Sequence, residues 1–119
     1  MKAGMKKTRI TRVESWVNLG IPDCILSLEK RFLLVELKVA APSGRIKLSA
    51  HQVAFHEAHR DYPCFILASF GEARKREIWL YPSHRAKDLA VGVCQPDIRI
   101  PENAEGWQKL EEAFGFSLD

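Results

Sequence analysis

The sequence predicts an α/β fold: a central mixed β-sheet of about four or five strands flanked by helices. Three observations predict it. Residues 23–28 and 32–39 are two short apolar runs, entered through Gly20 and Pro22 and split by Glu29-Lys30-Arg31, the pattern of two buried strands joined by a tight turn. Ser49 followed by Gln52 is a capping box, and Val53, Ala54, Phe55 and Ala58 supply apolar bulk behind it. A helix is therefore expected over 50–60, ended by Tyr62-Pro63. Residues 64–70, reading Cys-Phe-Ile-Leu-Ala-Ser-Phe, are continuously apolar, as suits a central strand covered on both faces.

In chain order, residues 1–8 are expected to be a flexible basic arm. Residues 10–19 admit two readings. Thr11 and Glu14 have capping-box spacing, with Val13, Trp16 and Val17 on one helical face. Ile10, Arg12 and Glu14 equally alternate against Thr11, Val13 and Ser15 as a strand would. After the hairpin, Ala41-Pro42-Ser43-Gly44 is a loop signature leading to Arg45-Ile46-Lys47. Residues 71–76 read as a charged turn, 77–81 as a strand nearer the sheet edge, and 83–90 as a short helix opened by Ser83. Residues 97–100 are extended between Pro96 and Pro101. A closing helix over 105–114 would turn Trp107, Leu110 and Phe114 inward and Glu111 and Glu112 outward.

Length and composition bound the function. The 119 residues suit one domain, 1–119, around a single core. With 46% hydrophobic and 28% charged residues the chain is composed as a soluble globular protein, and no apolar run approaches the roughly 18 residues of a membrane span. No signal-like apolar stretch opens it, so a cytoplasmic location is expected. Cys24, Cys64 and Cys94 show no C-x-x-C spacing and read as free thiols, buried for Cys24 and Cys64, rather than a disulfide framework or zinc ribbon. His51, His56 and His59 lack a familiar zinc spacing and are expected to be solvated or to face phosphate. The net charge of +3 permits a nucleic-acid partner without indicating one. Its concentration at Lys6, Lys7, Arg9 and Arg12, just ahead of the hairpin, says more.

The polar residues inside the hairpin carry the chemistry. A turn centred on Glu29-Lys30 sets Asp23 opposite Glu36 on one face, about 5 Å apart at Cβ, with Lys38 two residues further along the same face. Two carboxylates that close repel, and a divalent cation relieves them; hard oxygen ligands suit Mg²⁺ or Mn²⁺. A lysine beside the cation can hold or activate water, or stabilise charge growing on a phosphate. The competing reading makes Glu36 and Lys38 a surface ion pair and Asp23 a turn cap after Pro22. Arg45, Lys47 and His51 lie beside the proposed site and are candidates for phosphate contact.

Gly-Ile-Pro-Asp at 20–23 followed by Val-Glu-Leu-Lys at 35–38 resembles the PD-(D/E)XK nuclease superfamily. Arg-Val-Glu-Ser at 12–15 and Leu-Ser-Ala-His-Gln at 48–52 narrow the resemblance to small phage-type nucleases of the VRR-NUC group. The four ordered blocks span most of the chain, about residues 9–81. The resemblance implies a restriction-endonuclease-like core and Mg²⁺ or Mn²⁺ held by Asp23, Glu36 and the Leu37 backbone carbonyl, with Glu14 as a further carboxylate. It gives Lys38 the task of positioning or deprotonating the attacking water and aims Gln52 at that water or the substrate. It also implies a DNA endonuclease acting on branched, flap or junction DNA, with a homodimer as the working unit and the host cytoplasm as the location of a phage-encoded chain. A sequence-specific homing or restriction-like enzyme would call for a long basic recognition insert, which is not visible. A non-catalytic nucleic-acid-binding protein on the same fold would be expected to lose at least one of Asp23, Glu36 and Lys38.

Overall fold

A computed structural model of the chain describes residues 8–12, 22–28 and 30–118; the side chains of residues 12, 73 and 115–118 are outside that description. Six strands form one mixed sheet in chain order: β1 (Arg9–Arg12), β2 (Cys24–Leu28), β3 (Arg31–Val39), β4 (Cys64–Phe70), β5 (Glu77–Pro82) and β6 (Ile98–Pro101). Every neighbouring pair is antiparallel except β3 and β4, whose parallel pairing needs the crossover that carries helix α1 (Ala50–Ala58). Helices α2 (Ala86–Val91) and α3 (Ala104–Leu118) complete the elements, with short 3₁₀ turns at Ala73–Lys75 and Ser83–Arg85.

The α/β class and mixed sheet are as expected, with two corrections. The sheet has six strands because both edges add short four-residue ones, β1 and β6, too brief to carry a periodic signal. At the ambiguous amino-terminal stretch, residues 9–12 take the strand alternative; 13–21, including Glu14, lie outside the described residues, as does most of the basic arm.

The hairpin register is the one its turn dictates. Cys24 pairs with Val35 and Leu28 with Arg31, so Arg31 joins the strand instead of the turn. Lys30 takes a left-handed φ of 65°, the geometry of a two-residue hairpin loop. Alternation then sorts the sheet into two faces. Cys24, Leu26, Leu33, Val35, Phe65, Leu67, Ile78 and Leu80 bury one face under Leu110 and Phe114 of α3, the inward residues expected of that helix. Ile66, Ala68, Trp79 and Tyr81 bury the other with Ile46 and with Ala86 and Leu89 of α2. Glu36 pairs with Ile66 and Lys38 with Ala68 in the parallel ladder, so both project to this second face, where α1 lies.

Helix α1 is opened as its sequence foretells: Ser49 Oγ accepts from the Gln52 N–H at 3.1 Å while Gln52 Oε1 accepts from the Ser49 N–H at 2.9 Å. Its inner face differs from the expected apolar bulk, since Ala54 and Ala58 are exposed and the fully buried residue is His56. Ser83 likewise caps no helix; it is buried and bonded to tertiary partners. Glu111, expected outward, is partly buried and accepts a hydrogen bond from the Thr8 hydroxyl. No disulfide joins Cys24, Cys64 or Cys94, and Cys24 and Cys64 are buried. Among the described residues no helix is long and apolar enough to cross a membrane.

Candidate active site

Asp23 sits one step before β2, in the ladder position opposite Glu36. Its Oδ2 accepts a hydrogen bond from the Leu37 N–H at 2.9 Å, tying the mouth of the hairpin past its last ladder pair. The ladder therefore sets the two acids side by side on one face, and the Asp23 carboxyl is near enough to act on Glu36. Glu36 is 1% exposed, and its Oε1 has no hydrogen-bond partner among the described residues. Burial first, then the hydrogen bond and charge of Asp23, push its pKa up to about 8, with Lys38 pulling the other way.

Lys38 projects from the same face and donates from Nζ to Gln52 Oε1 at 2.9 Å. That oxygen is the one the capping box already uses, so the fold of the helix N-terminus fixes the lysine's partner. The structure thus gathers Asp23, Glu36, Leu37, Lys38 and Gln52. Glu14, Lys6 and Lys7 lie outside the described residues, as does the Arg12 side chain. Arg9 is exposed on the edge strand β1, and Lys47 and His51 are exposed on the approach to α1 and in its first turn. Arg45 is half-buried and donates from Nη2 to the Ala90 carbonyl at 2.6 Å, which commits it to the end of α2.

The expectation that His56 is solvated or faces phosphate is overturned: it is 0% exposed. Its Nδ1 lies 2.7 Å from Ser83 Oγ and 3.4 Å from Cys64 Sγ, and Ser83 Oγ donates to the Cys64 carbonyl at 2.8 Å. Its Nε2 points at Glu36 Oε1 from 4.0 Å. Burial, with the charges of His59 and Lys38, lowers its pKa to about 4. The signal for this residue was the four-residue spacing from Gln52, which puts both on one face of α1. His59 is half-buried, stacked on Phe55 with ring centroids 4.0 Å apart.

No protein-family model matches the chain, and no curated protein does. Among solved structures it is similar to Hjc, a Holliday junction resolvase from the archaeal hyperthermophile Archaeoglobus fulgidus: TM-score 0.50 over 92% of this chain and 88% of that one, at 16% identity. The two proteins share a fold.

On this shared fold the donor set fits a hard divalent cation. Two carboxyls sit side by side, one of them buried with an oxygen that has no partner among the described residues, and a lysine stands near them on the same face. Among the described residues no cluster of three or more His, Cys, Asp or Glu is arranged to hold a metal. Ligands beyond Asp23 and Glu36 would therefore come from backbone oxygen such as the Leu37 carbonyl, from water, or from Glu14.

The displaced pKa values make a prediction about the metal-free protein. Between about pH 6.5 and 8 the folded state holds a proton on Glu36 that the unfolded chain, titrating near 4.5, has released. Stability should fall as pH rises through that window, by up to about 1.4 kcal/mol per pH unit. His56 acts oppositely: its folded pKa of about 4 lies below the usual 6.5, so its contribution is lost as pH falls between those values. Urea unfolding from pH 5 to 8 should show the alkaline loss in the wild type and its absence in Glu36→Gln. An equal slope in both would place the proton elsewhere.

Proposed function

We propose that the chain is a metal-dependent endonuclease that hydrolyses DNA phosphodiester bonds and selects branched, flap or junction DNA. The observation that carries the reading is the placement of buried Glu36 opposite Asp23, with Lys38 held by Gln52 on the same face, on a fold shared with a Holliday junction resolvase. Within the PD-(D/E)XK superfamily we place it with the small phage-type VRR-NUC nucleases, on the four sequence blocks at 12–15, 20–23, 35–38 and 48–52.

Asp23 and Glu36 would hold Mg²⁺ or Mn²⁺, with the Leu37 carbonyl and Glu14 completing the set. The bound ion would supply Lewis acidity, easing deprotonation of water and stabilising charge on the phosphate. The chain's own residues do the rest. Gln52 Oε1 accepts a hydrogen bond from the Lys38 ammonium and so directs the side chain, leaving Lys38 to orient the attacking water and face the phosphate. Lys47 and His51, exposed at the start of α1, and Arg9 on β1 are placed to contact the DNA backbone. So small a protein offers little surface for base readout, which favours recognition of shape. Two copies acting together would bring two such sites to opposing strands.

The test is a panel of labelled substrates (duplex, flap, splayed arm and four-way junction) incubated with Mg²⁺ or Mn²⁺. Branched substrates should be cut in a metal-dependent manner at least about tenfold faster than duplex, a margin of about 1.4 kcal/mol in the barrier. Binding without cleavage on any substrate would make the chain a nucleic-acid-binding protein. Equal cutting of duplex would remove the structure selectivity.

A further inference from the structure

Among the described residues Glu36 Oε1 and His56 Nε2 are buried polar atoms without a hydrogen-bond partner, and they face each other 4.0 Å apart on side chains 1% and 0% exposed. A buried acceptor without a donor costs roughly 1–3 kcal/mol, more when ionised, so such a pairing of orphans needs a reason. Building on the nuclease reading, we propose that His56 is a positioning residue for Glu36. With its proton on Nε2 it donates to Oε1 and leaves the other carboxylate oxygen turned toward Asp23 and the cation.

The far side of the ring is equipped for this. Ser83 Oγ donates to the Cys64 carbonyl, so a proton on Nδ1 would find an acceptor in that hydroxyl at 2.7 Å. With the proton on Nε2 instead, the Cys64 thiol at 3.4 Å can donate to Nδ1 while the Ser83–Cys64 bond stays intact. Either tautomer is therefore satisfied at Nδ1, and the Nε2–H tautomer alone supplies a donor to Glu36. Closing 4.0 Å to hydrogen-bond distance needs about 1 Å of movement at the end of a Glu side chain. His56 stands behind the carboxylate instead of on the ion: no three-residue ligand cluster forms here among the described residues.

Two substitutions separate the ends of the ring. His56→Asn keeps an amide near the Nδ1 position and its Ser83 contact but removes the donor facing Glu36. His56→Gln places an amide nitrogen near Nε2. Measured with purified protein, His56→Asn should raise the Mn²⁺ dissociation constant, and the Mg²⁺ needed for half-maximal cleavage, by about 10- to 100-fold. Its rate at saturating metal should stay within a few-fold of wild type, and His56→Gln should recover most of the affinity. Wild-type Mn²⁺ affinity in His56→Asn overturns the proposal. So does an equal loss in both variants that follows a lowered Tm and is not relieved by metal. Should neither variant fold, the imidazole nitrogen shifts of ¹⁵N-labelled wild-type protein with Mg²⁺ decide: a proton on Nε2 supports the role and one on Nδ1 ends it. Wild-type protein that neither binds Mn²⁺ nor nicks DNA sinks the nuclease reading itself, whereas a competent wild type with an indifferent His56→Asn sinks only the role of His56.

Discussion

Alanine at Asp23 or Glu36 is expected to abolish metal binding and cleavage together, while Lys38→Ala is expected to lose cleavage and keep the metal. The difference follows from what each side chain holds. Asp23 and Glu36 are the two carboxyls set side by side, and neither has a substitute among the described residues. Lys38 is no ligand; removing its charge leaves metal affinity unchanged or tighter, while the rate should fall by roughly 10²-fold or more, the scale for one positioned catalytic group. Folding should tolerate Lys38→Ala, because Gln52 Oε1 still accepts from the Ser49 N–H and the capping box survives. Asp23→Ala is less innocent, since it strips the acceptor from the Leu37 N–H. Asp23→Asn keeps an oxygen there and is the cleaner ligand knockout. Calorimetry for metal and single-turnover cleavage, run on each variant, give the paired result. Wild-type cutting by Lys38→Ala would reduce that residue to a partner of Gln52 and take away the main support for the nuclease.

The parts of this site legible in the sequence are those set by local geometry. A two-residue turn fixes the register of β2 on β3, so the meeting of Asp23 with Glu36 followed from counting. The capping box is likewise a four-residue device, and it delivered Gln52 to the face where Lys38 emerges. What local pattern does not show is the polar partners supplied from elsewhere in the chain. Without a familiar zinc spacing, His56 reads from sequence as solvated or facing phosphate. Its true partners, Ser83 and Cys64, lie 27 and 8 residues away and create a polar pocket that no local pattern announces. The helical stretch does open at Ser83, but its hydroxyl is spent on the Cys64 carbonyl, which the local pattern does not announce. The edge strand β1 stays ambiguous in sequence because four residues cannot show a period, whereas the extended reading of 97–100 matches β6 within a residue.

Glu36 is the residue at which the local rules of the fold are broken. A position flanked in β3 by Val35 and Leu37, and paired with Ile66, would be filled by an aliphatic side chain if packing alone decided. It carries instead an acid whose burial raises its pKa to about 8, beside a second acid and near an imidazole. A carboxyl that is costly in the empty protein becomes favourable once a cation is present, which is the usual mark of a site selected for chemistry over stability.

Stability on the opposite face of the sheet rests on a glycine, and Gly106→Ala is expected to cost about 3 kcal/mol or more. In an unconstrained helix the same change would be worth up to about 1 kcal/mol of stabilisation, so the sign alone is diagnostic. Helix α3 starts hard against β6: the Asn103 N–H donates to the Pro101 carbonyl at 3.0 Å, and Asn103 Oδ1 accepts from the Gly106 N–H at 2.8 Å. A Cβ on Gly106 would lie 1.7 Å from the Pro101 carbonyl oxygen, a backbone atom that cannot swing aside. The helix would have to lift from β6, loosening Leu110 and Phe114, both 0% exposed, from the hairpin face they cover and Phe114 from its contact with Phe65 at 5.2 Å between centroids. Breaking the cap alone, with Asn103→Ala, should cost only about 1 kcal/mol. Urea unfolding of the three proteins gives the ranking, with Gly106→Ala least stable. Because the site lies across the sheet from α3, metal affinity measured on the folded fraction should be unchanged. A Gly106→Ala protein as stable as the wild type would mean that α3 does not approach β6 so closely.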